Sequence, residues 1–333
     1  MAEAKYDVLG IGNAIFDVLV KTDEKFLADH GMTKGGMALI DEARAASIYR
    51  DMGPATEMSG GSAANTIVGI ASFGARAAYV GKVKDDQIGK LYTHDIRAAG
   101  VAFDTRPASD GPATGCSYIL VTDDGERTMN TYLGAAQELT SGDIDAAEIA
   151  AAKIVYLEGY LWDPASAKQA FVKAATIAHS AGREVALTLS DSFCVDRYRD
   201  EFLDLMRKGT VDLVFANEAE LHSLYQTSDF DTALKELRKD AKLGVVTRGA
   251  KGCVVASRDG VVAVPAFAID RLVDTTGAGD LFAAGFLFGL VRNAGYENAG
   301  RLGALAAAEV IQHIGARPLA SLKELAQKTG LPV

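Results

Sequence analysis

Asp274-Thr275-Thr276-Gly277-Ala278-Gly279-Asp280 follows a strand-like run, Val261–Val264, and leads directly into an apolar helical stretch over 281–291. Two glycines and an alanine at a helix start are locally costly, about 1 kcal/mol per glycine relative to alanine. That cost makes sense where a ligand must approach the backbone closely. Bare N–H groups at a helix N-terminus, at the positive end of the helix dipole, bind a phosphate or a developing anion. Asp280 then stands in the first helical turn beside the anion pocket, where a carboxylate can take the proton of an attacking hydroxyl. The same residues also fit an ordinary glycine turn with Asp280 as a helix-start charge, and from the residues alone the two readings stand level.

Outward from this stretch the chain alternates. Strands are predicted at 6–12, 77–83, 153–157, 184–189, 211–216 and 243–247. Helices are predicted at 62–74, 87–99, 164–182, 194–208, 217–227 and 231–241, with two long Ala- and Gly-rich helices at 278–293 and 296–314. Strand–helix alternation means an α/β fold, a doubly wound and mostly parallel sheet covered on both faces. Residues 101–135 break the pattern. They carry Thr and Tyr runs, turn signals at Asp110-Gly111 and Asp124-Gly125, and no helical period, so two strands joined at 122–125 are expected there. No Pro- or Gly-rich linker separates a second domain. The expected architecture is one domain over 1–333 with a small β lid built from two insertions, 13–50 and 101–135.

Four further segments carry polar groups at element ends. Asn217-Glu218-Ala219-Glu220 opens a helix directly after a strand, where ligands of open α/β sheets lie. Asn217 and Glu220 fit a capping box, and equally a pair of oxygen donors that organises a magnesium ion through its water shell. Thr247-Arg248-Gly249 closes another strand with a hydroxyl, a cation and permissive backbone, suited to a nucleotide phosphate or to a plain hairpin turn. Gly60-Gly61-Ser62-Ala63-Ala64-Asn65 would let a flat or polyhydroxylated ligand lie on the backbone beside the Asn65 amide. Gly12-Asn13-Ala14-Ile15-Phe16-Asp17 ends the first strand, and Asp17 suits a vicinal diol or is a solvated loop carboxylate. Gly10-Ile11-Gly12 imitates the start of a dinucleotide fingerprint. Ile15 stands at the third glycine position, however, and no helix follows, which counts against a nicotinamide-dependent dehydrogenase. A non-catalytic nucleoside-binding protein would have no use for Asp280.

Composition narrows the class. Of 333 residues, 49% are apolar, enough for a full core, and the net charge of -10 speaks against a nucleic-acid partner. Cys116, Cys194 and Cys253 are widely spaced and odd in number, as in a reducing compartment. The opening residues lack a signal core, and no run of about 18 apolar residues suggests a membrane span. A cytoplasmic, soluble protein is expected. Five scattered histidines make a zinc site improbable.

Taken in order, these segments resemble the ribokinase-like (PfkB) carbohydrate kinase family over nearly the whole chain. The 274–280 stretch is the most specific part, backed by Gly60-Gly61 with Asn65 and by Asn217 with Glu220. The resemblance implies transfer of the ATP γ-phosphoryl to a substrate hydroxyl. Asp280 would be the base, and the amides of Gly277, Ala278, Gly279 and Asp280 the anion hole. It further implies Mg2+ near Glu220 and Asn217, ATP at Asn217, Thr247, Arg248 and Gly249, and a K+ loop near Asp274 and Thr276. Within the family the chain is similar to the adenosine kinase branch in Leu189-Ser190-Asp191-Ser192-Phe193, in Arg127 ahead of Asn130-Thr131-Tyr132, and in Gly12-Asn13 with Asp17. That similarity implies a nucleoside acceptor phosphorylated on its 5′-hydroxyl. Phe193, with Ile15, Phe16 and Met37, would supply an apolar slot for the base, and Arg127 would swing toward the phosphates. Lys34-Gly35-Gly36-Met37-Ala38-Leu39 departs from the eukaryotic pattern, lacking the polar residue those enzymes place near the purine. Guanosine, inosine, ribose and fructose therefore stand as alternative acceptors. A monomer and a homodimer are both compatible with the sequence.

Overall fold

The computed structural model describes residues 4–333; the expectation of no signal core rests partly on Met1–Glu3, which lie outside the described residues. In chain order the strands are β1 (Tyr6–Ile11), β2 (Ile15–Lys21), β3 (Met37–Leu39), β4 (Thr56–Gly60), β5 (Ala77–Val80), β6 (Val101–Ala102) and β7 (Gly115–Val121). They continue as β8 (Arg127–Tyr132), β9 (Ala152–Glu158), β10 (Glu184–Thr188), β11 (Leu213–Asn217), β12 (Leu243–Thr247), β13 (Cys253–Ser257) and β14 (Val261–Val264).

Nine of these form the larger sheet, in the order β14-β13-β12-β11-β10-β9-β1-β5-β6. Every neighbouring pair from β12 to β6 is parallel, and only β12–β13 and β13–β14 are antiparallel. β1 is buried at all six positions, as a strand covered on both faces must be. One face packs under the helices Ser62–Ser72, Ala278–Val291 and Tyr296–Val310. The other packs under Ala165–Ser180, Ser192–Arg207, Glu218–Tyr225 and Phe230–Asp240. This is the expected doubly wound α/β architecture. The Thr247–Gly252 stretch turns out to be the bend of the β12–β13 hairpin.

The remaining five strands form a second sheet, β3-β8-β7-β2-β4. It draws on residues 15–60 and 115–132, which moves both expected insertion boundaries. The first segment runs on through β4, whose Thr56-Glu57-Met58-Ser59-Gly60 has too few apolar residues to announce a strand. The second begins later, because Val101–Ala102 pairs with β5 in the larger sheet. Side chains alternate along strands, so register sorts this sheet into two faces. Phe16, Val18, Tyr118 and Leu120 lie on one face, under Glu24–Asp29 and Glu42–Asp51. Tyr49 there sits 6.2 Å, ring to ring, from Tyr118. Asp17, Leu19, Ser117, Ile119, Met129, Thr131, Met37 and Leu39 lie on the other, in two rows across the strands.

All three cysteines are free and buried, and burial pushes each thiol up to about 12. Among the described residues no helix is long and apolar enough to cross a membrane.

Candidate active site

The chain leaves the larger sheet at the carboxyl end of β1 and crosses at once into the smaller sheet. Asn13 marks the crossing. Its backbone N and its Nδ2 donate to Glu158 Oε1, at 3.2 and 2.7 Å, while Gln137 Nε2 donates to its Oδ1 at 3.2 Å. Glu158, the last residue of β9, also accepts from Ala63 N at 2.8 Å. Its carboxylate thus ties β9 to the crossing and to the start of Ser62–Ser72. The return crossing, from β4 to that helix, is made by Gly60 and Gly61. Gly61 has φ of 99°, and a Cβ there would collide with the Asn13 carbonyl oxygen. A Cβ on Gly60 would collide with the Asp17 carboxylate. These two glycines are bare because the chain and Asp17 lie against them.

Asp280 faces this junction from the other side. Gly277, with φ of 77°, caps the Ala278–Val291 helix without any side-chain bond to its first amides. A Cβ on Gly279 would meet nothing within 4 Å, so the space above those amides is open to an incoming group. Ser62 Oγ donates to Asp280 Oδ1 at 2.6 Å and Asn65 Nδ2 donates to Oδ2 at 3.1 Å. Asn65 Oδ1 is buried and unpaired, an acceptor left for a hydroxyl. Burial raises the Asp280 carboxyl to about 6, against those two bonds and the Arg317 charge. Burial also takes Asp17 to about 7, with Arg317 and Arg127 pulling it down and Asp280 pushing it up. Glu158 reaches about 7 by burial in spite of its three N–H donors. Three carboxylates with lifted pKa values around one opening are the electrostatic mark of a site that handles protons and hydroxyls.

Arg127, expected near phosphates, opens β8 and instead pairs with Asp274, Nη2 to Oδ2 at 2.6 Å. Asp274 also accepts from Thr276 N at 3.0 Å and Gly315 N at 3.1 Å. Its side chain is therefore engaged in shaping the loop and in holding the smaller sheet.

Asn217 and Thr247 are register partners at the carboxyl ends of β11 and β12. Asn217 and Glu220 form a full capping box: Asn217 Oδ1 accepts from Glu220 N at 2.9 Å, and Asn217 N and Nδ2 donate to the Glu220 carboxylate at 3.0 and 2.5 Å. Burial holds that carboxyl at about 7, with Asp191 adding to the rise. With both oxygens turned back onto Asn217, Glu220 fits a magnesium ion only through water. Among the described residues no three His, Cys, Asp or Glu converge on a metal. Arg248 forks onto Glu218, with contacts of 2.9 and 3.3 Å, and lies 3.6 Å above the Phe230 ring, so its charge is spoken for. Gly249, with φ of 56°, faces open space.

Phe193 is 67% exposed, with Arg197 4.7 Å from its ring, and no described contact ties it to Asp17, Asn65 or Asp280. Phe16 points to the helix-covered face of the smaller sheet, away from Asp17. Phe16 thus lies across the sheet from the expected base slot. Sequence reasoning missed Glu158, Ser62 and Arg317. Glu158 lies one residue beyond the expected strand 153–157, and a carboxylate ending a parallel strand was the available signal. Arg317 lies past the last expected helix with no local pattern to single it out. Two surface cavities lie elsewhere, about 660 Å3 beside Lys84, Lys90, His94 and Arg97, and about 730 Å3 beside Lys82, Arg106 and Asp143.

The model of the pfkB family carbohydrate kinases matches residues 52–322. A solved structure of a probable sugar kinase from Rhizobium etli aligns with a TM-score of 0.92 and 53% identity, covering 99% of this chain and 100% of that one. The adenosine kinase from Sinorhizobium meliloti aligns with a TM-score of 0.91 and 56% identity, covering 98% and 100%. An ATP-dependent ribose-1-phosphate kinase from Halopiger xanaduensis is 31% identical over 288 residues, 84% of this chain and 83% of that protein.

Proposed function

This chain belongs to the pfkB carbohydrate kinase family, and we propose that within it the protein transfers the γ-phosphoryl of ATP to the 5′-hydroxyl of adenosine. Kinases of this family are phosphotransferases that use ATP and an alcohol acceptor. The observation that carries the assignment to this site is Asp280, held by Ser62 and Asn65 beside the open amides of the Ala278–Val291 helix.

The acceptor hydroxyl gives its proton to an Asp280 oxygen as its own oxygen bonds to the γ-phosphorus. The bond from that phosphorus to the β–γ bridging oxygen breaks, and ADP leaves. Amides at the helix N-terminus meet the charge that grows on the transferred group. Asp17 and the free Asn65 Oδ1 accept from the ribose hydroxyls. Glu158 fixes Asn13 beside them. Glu220 and Asn217 would orient the water shell of a magnesium ion, which would supply charge neutralisation for the ATP phosphates. The smaller sheet acts as the lid, because its Asp17 face looks onto the site and Arg127 reaches across to Asp274.

The preference for a nucleoside rests on that same face. Met37 and Leu39 are 52% and 57% exposed, and they share their two rows with Leu19, Ile119 and Met129 beside Asp17. A free sugar has nothing to lay on these apolar groups, whereas a flat base does. They lie on the Asp17 face of the sheet, opposite Phe16. The identity to the Sinorhizobium meliloti adenosine kinase supports the same acceptor. Initial rates of ADP release should be compared for adenosine, guanosine, inosine, ribose and fructose, with and without potassium, in the parent and in Leu39→Ser. Adenosine should have the highest kcat/KM. Leu39→Ser should raise the nucleoside KM about tenfold, from lost apolar contact, and leave any rate with ribose unchanged. Preference for ribose or fructose would replace the nucleoside assignment with a sugar kinase and leave the transfer chemistry intact.

A further inference from the structure

The loop that follows Tyr296–Val310 brings Arg317 under the junction between the two sheets. Its Nη2 donates to Ser59 O at 2.6 Å and to Ser59 Oγ at 3.1 Å, and its Nη1 donates to Ala64 O at 3.3 Å. Those acceptors bracket Gly60-Gly61-Ser62, where β4 leaves the smaller sheet and the Ser62–Ser72 helix begins. The junction is also held from the helix Gln87–Ala98. Asp95 Oδ2 accepts from Ser59 N at 2.7 Å and from Ser59 Oγ at 2.6 Å, and Tyr92 donates its hydroxyl to Gly60 O at 3.2 Å. Two residues before Arg317, Gly315 N donates to Asp274, the partner of Arg127. One loop therefore fixes the smaller sheet at β4 and, through Asp274, at β8.

We propose that Arg317 is a positioning residue for the transfer step: it pins the junction so that Ser62 and Asn65 hold the Asp280 carboxylate, and it places a positive charge beneath Asp280 and Asp17. This rests on the reading of Asp280 as the base. The described hydrogen bonds of the guanidinium all go to neutral oxygens. A neutral donor would satisfy those as well, and withdrawing a cation from water needs an anion nearby to offset it. The anions are Asp17 from β2, Asp95 from Gln87–Ala98, and Asp280, with the Tyr79 and Tyr92 hydroxyls closing the surround. Around Asp280 itself stand Ser62, Asn65, Arg317, Asp17, Glu158, Tyr156 and Tyr160. Arg317 pulls the Asp280 and Asp17 carboxyls down against burial, so losing its charge moves both upward.

The test compares Arg317→Gln, Arg317→Lys and Asp280→Asn with the parent, reading kcat and KM for ATP across pH and the thermal midpoint of each. Arg317→Gln should lower kcat about tenfold near neutral pH, move the acid limb of the kcat profile to higher pH, and leave the ATP KM within about twofold. Arg317→Lys keeps the charge and loses the fork. Its acid limb should return to the parent position while kcat recovers only in part. A Gln variant whose profile superimposes on the parent's after scaling would reduce Arg317 to packing and overturn the proposal. If the Gln variant does not fold, the Lys variant decides: parental kcat would remove the pinning role, and a lowered kcat with an unmoved limb would uphold it. Near-parental turnover in Asp280→Asn would instead sink the base itself. An inactive Asp280→Asn beside an unaffected Arg317→Gln would sink only the present inference.

Discussion

The two ends of β1 treat buried carboxylates in opposite ways. At its amino end Asp7 is 1% exposed and sits between Lys153 Nζ at 2.8 Å and Arg76, whose backbone N donates to it at 2.9 Å. Burial pushes that carboxyl up, but the bonds from Lys153 and Arg76 outweigh it and hold it at about 2. At the carboxyl end, Glu158 and Asp280 are bonded by amides and a hydroxyl, Asp17 feels Arg317 and Arg127 only through their charge, and burial wins, giving about 7, 6 and 7. Burial is common to both ends, so the partners decide. One end is compensated and serves to hold the sheet together. The other is left short of positive charge, and a ligand that brings hydroxyl protons completes it.

The contrast is broken most directly by neutralising each end in turn. Asp280→Asn should lower turnover about 100-fold or more, the scale of a lost general base, with a thermal midpoint no lower than the parent's. Asp7→Asn should keep turnover and lose about 2 kcal/mol of stability, because its partners are left facing a neutral amide. Steady-state rates beside denaturant unfolding check both. If Asp7→Asn lost activity in step with Asp280→Asn, the two ends would not be functionally distinct.

The second expectation concerns pH. Protonated Asp280 cannot accept a proton, so kcat should fall about tenfold per unit below a pH near 6. Stability should move the other way. Asp17, Glu158 and Glu220 have folded values near 7 against about 4 unfolded, so the folded state binds more protons between those limits. Their contribution is full below the unfolded value and lost as pH rises through 7. Asp7 has the opposite sign: its contribution is present above about 4 and disappears only as pH falls toward 2. The free protein should therefore melt higher at pH 6 than at pH 8 while working more slowly. A midpoint that rises steadily from pH 6 to pH 8 would contradict the assignment of uncompensated carboxylates.

The smallest effect is expected at Glu220, where the fourth raised carboxylate also closes a helix cap. Glutamine can keep the cap. Glu220→Gln should leave the melting temperature nearly unchanged and raise the magnesium needed for half-maximal rate about threefold, because it orients the metal's water. Superimposable magnesium titrations would leave Glu220 as a capping residue only.

The parallel sheet was legible because buried strands announce themselves as apolar runs, and β12 falls on the expected residues. The smaller sheet was legible only in its hairpin. β3 is exposed at all three positions and β4 begins with exposed polar residues, so neither has the alternation that marks a strand. The site divides in the same way. Asp280, Asn65, Asp17 and Asn13 were visible because glycine-rich turns flag the places where backbones approach. Glu158 and Arg317 act across 145 and 253 residues of sequence, through partners that only folding brings together.

The three cysteines give the molecule a chemical temperament. Each sulfur is enclosed and held as a thiol, one in the smaller sheet at Cys116, one at Cys194 in Ser192–Arg207, and one in β13 at Cys253. Oxidants and alkylating reagents attack thiolates they can reach. They meet none on the folded chain, so damage at these cysteines proceeds no faster than each of the three regions opens.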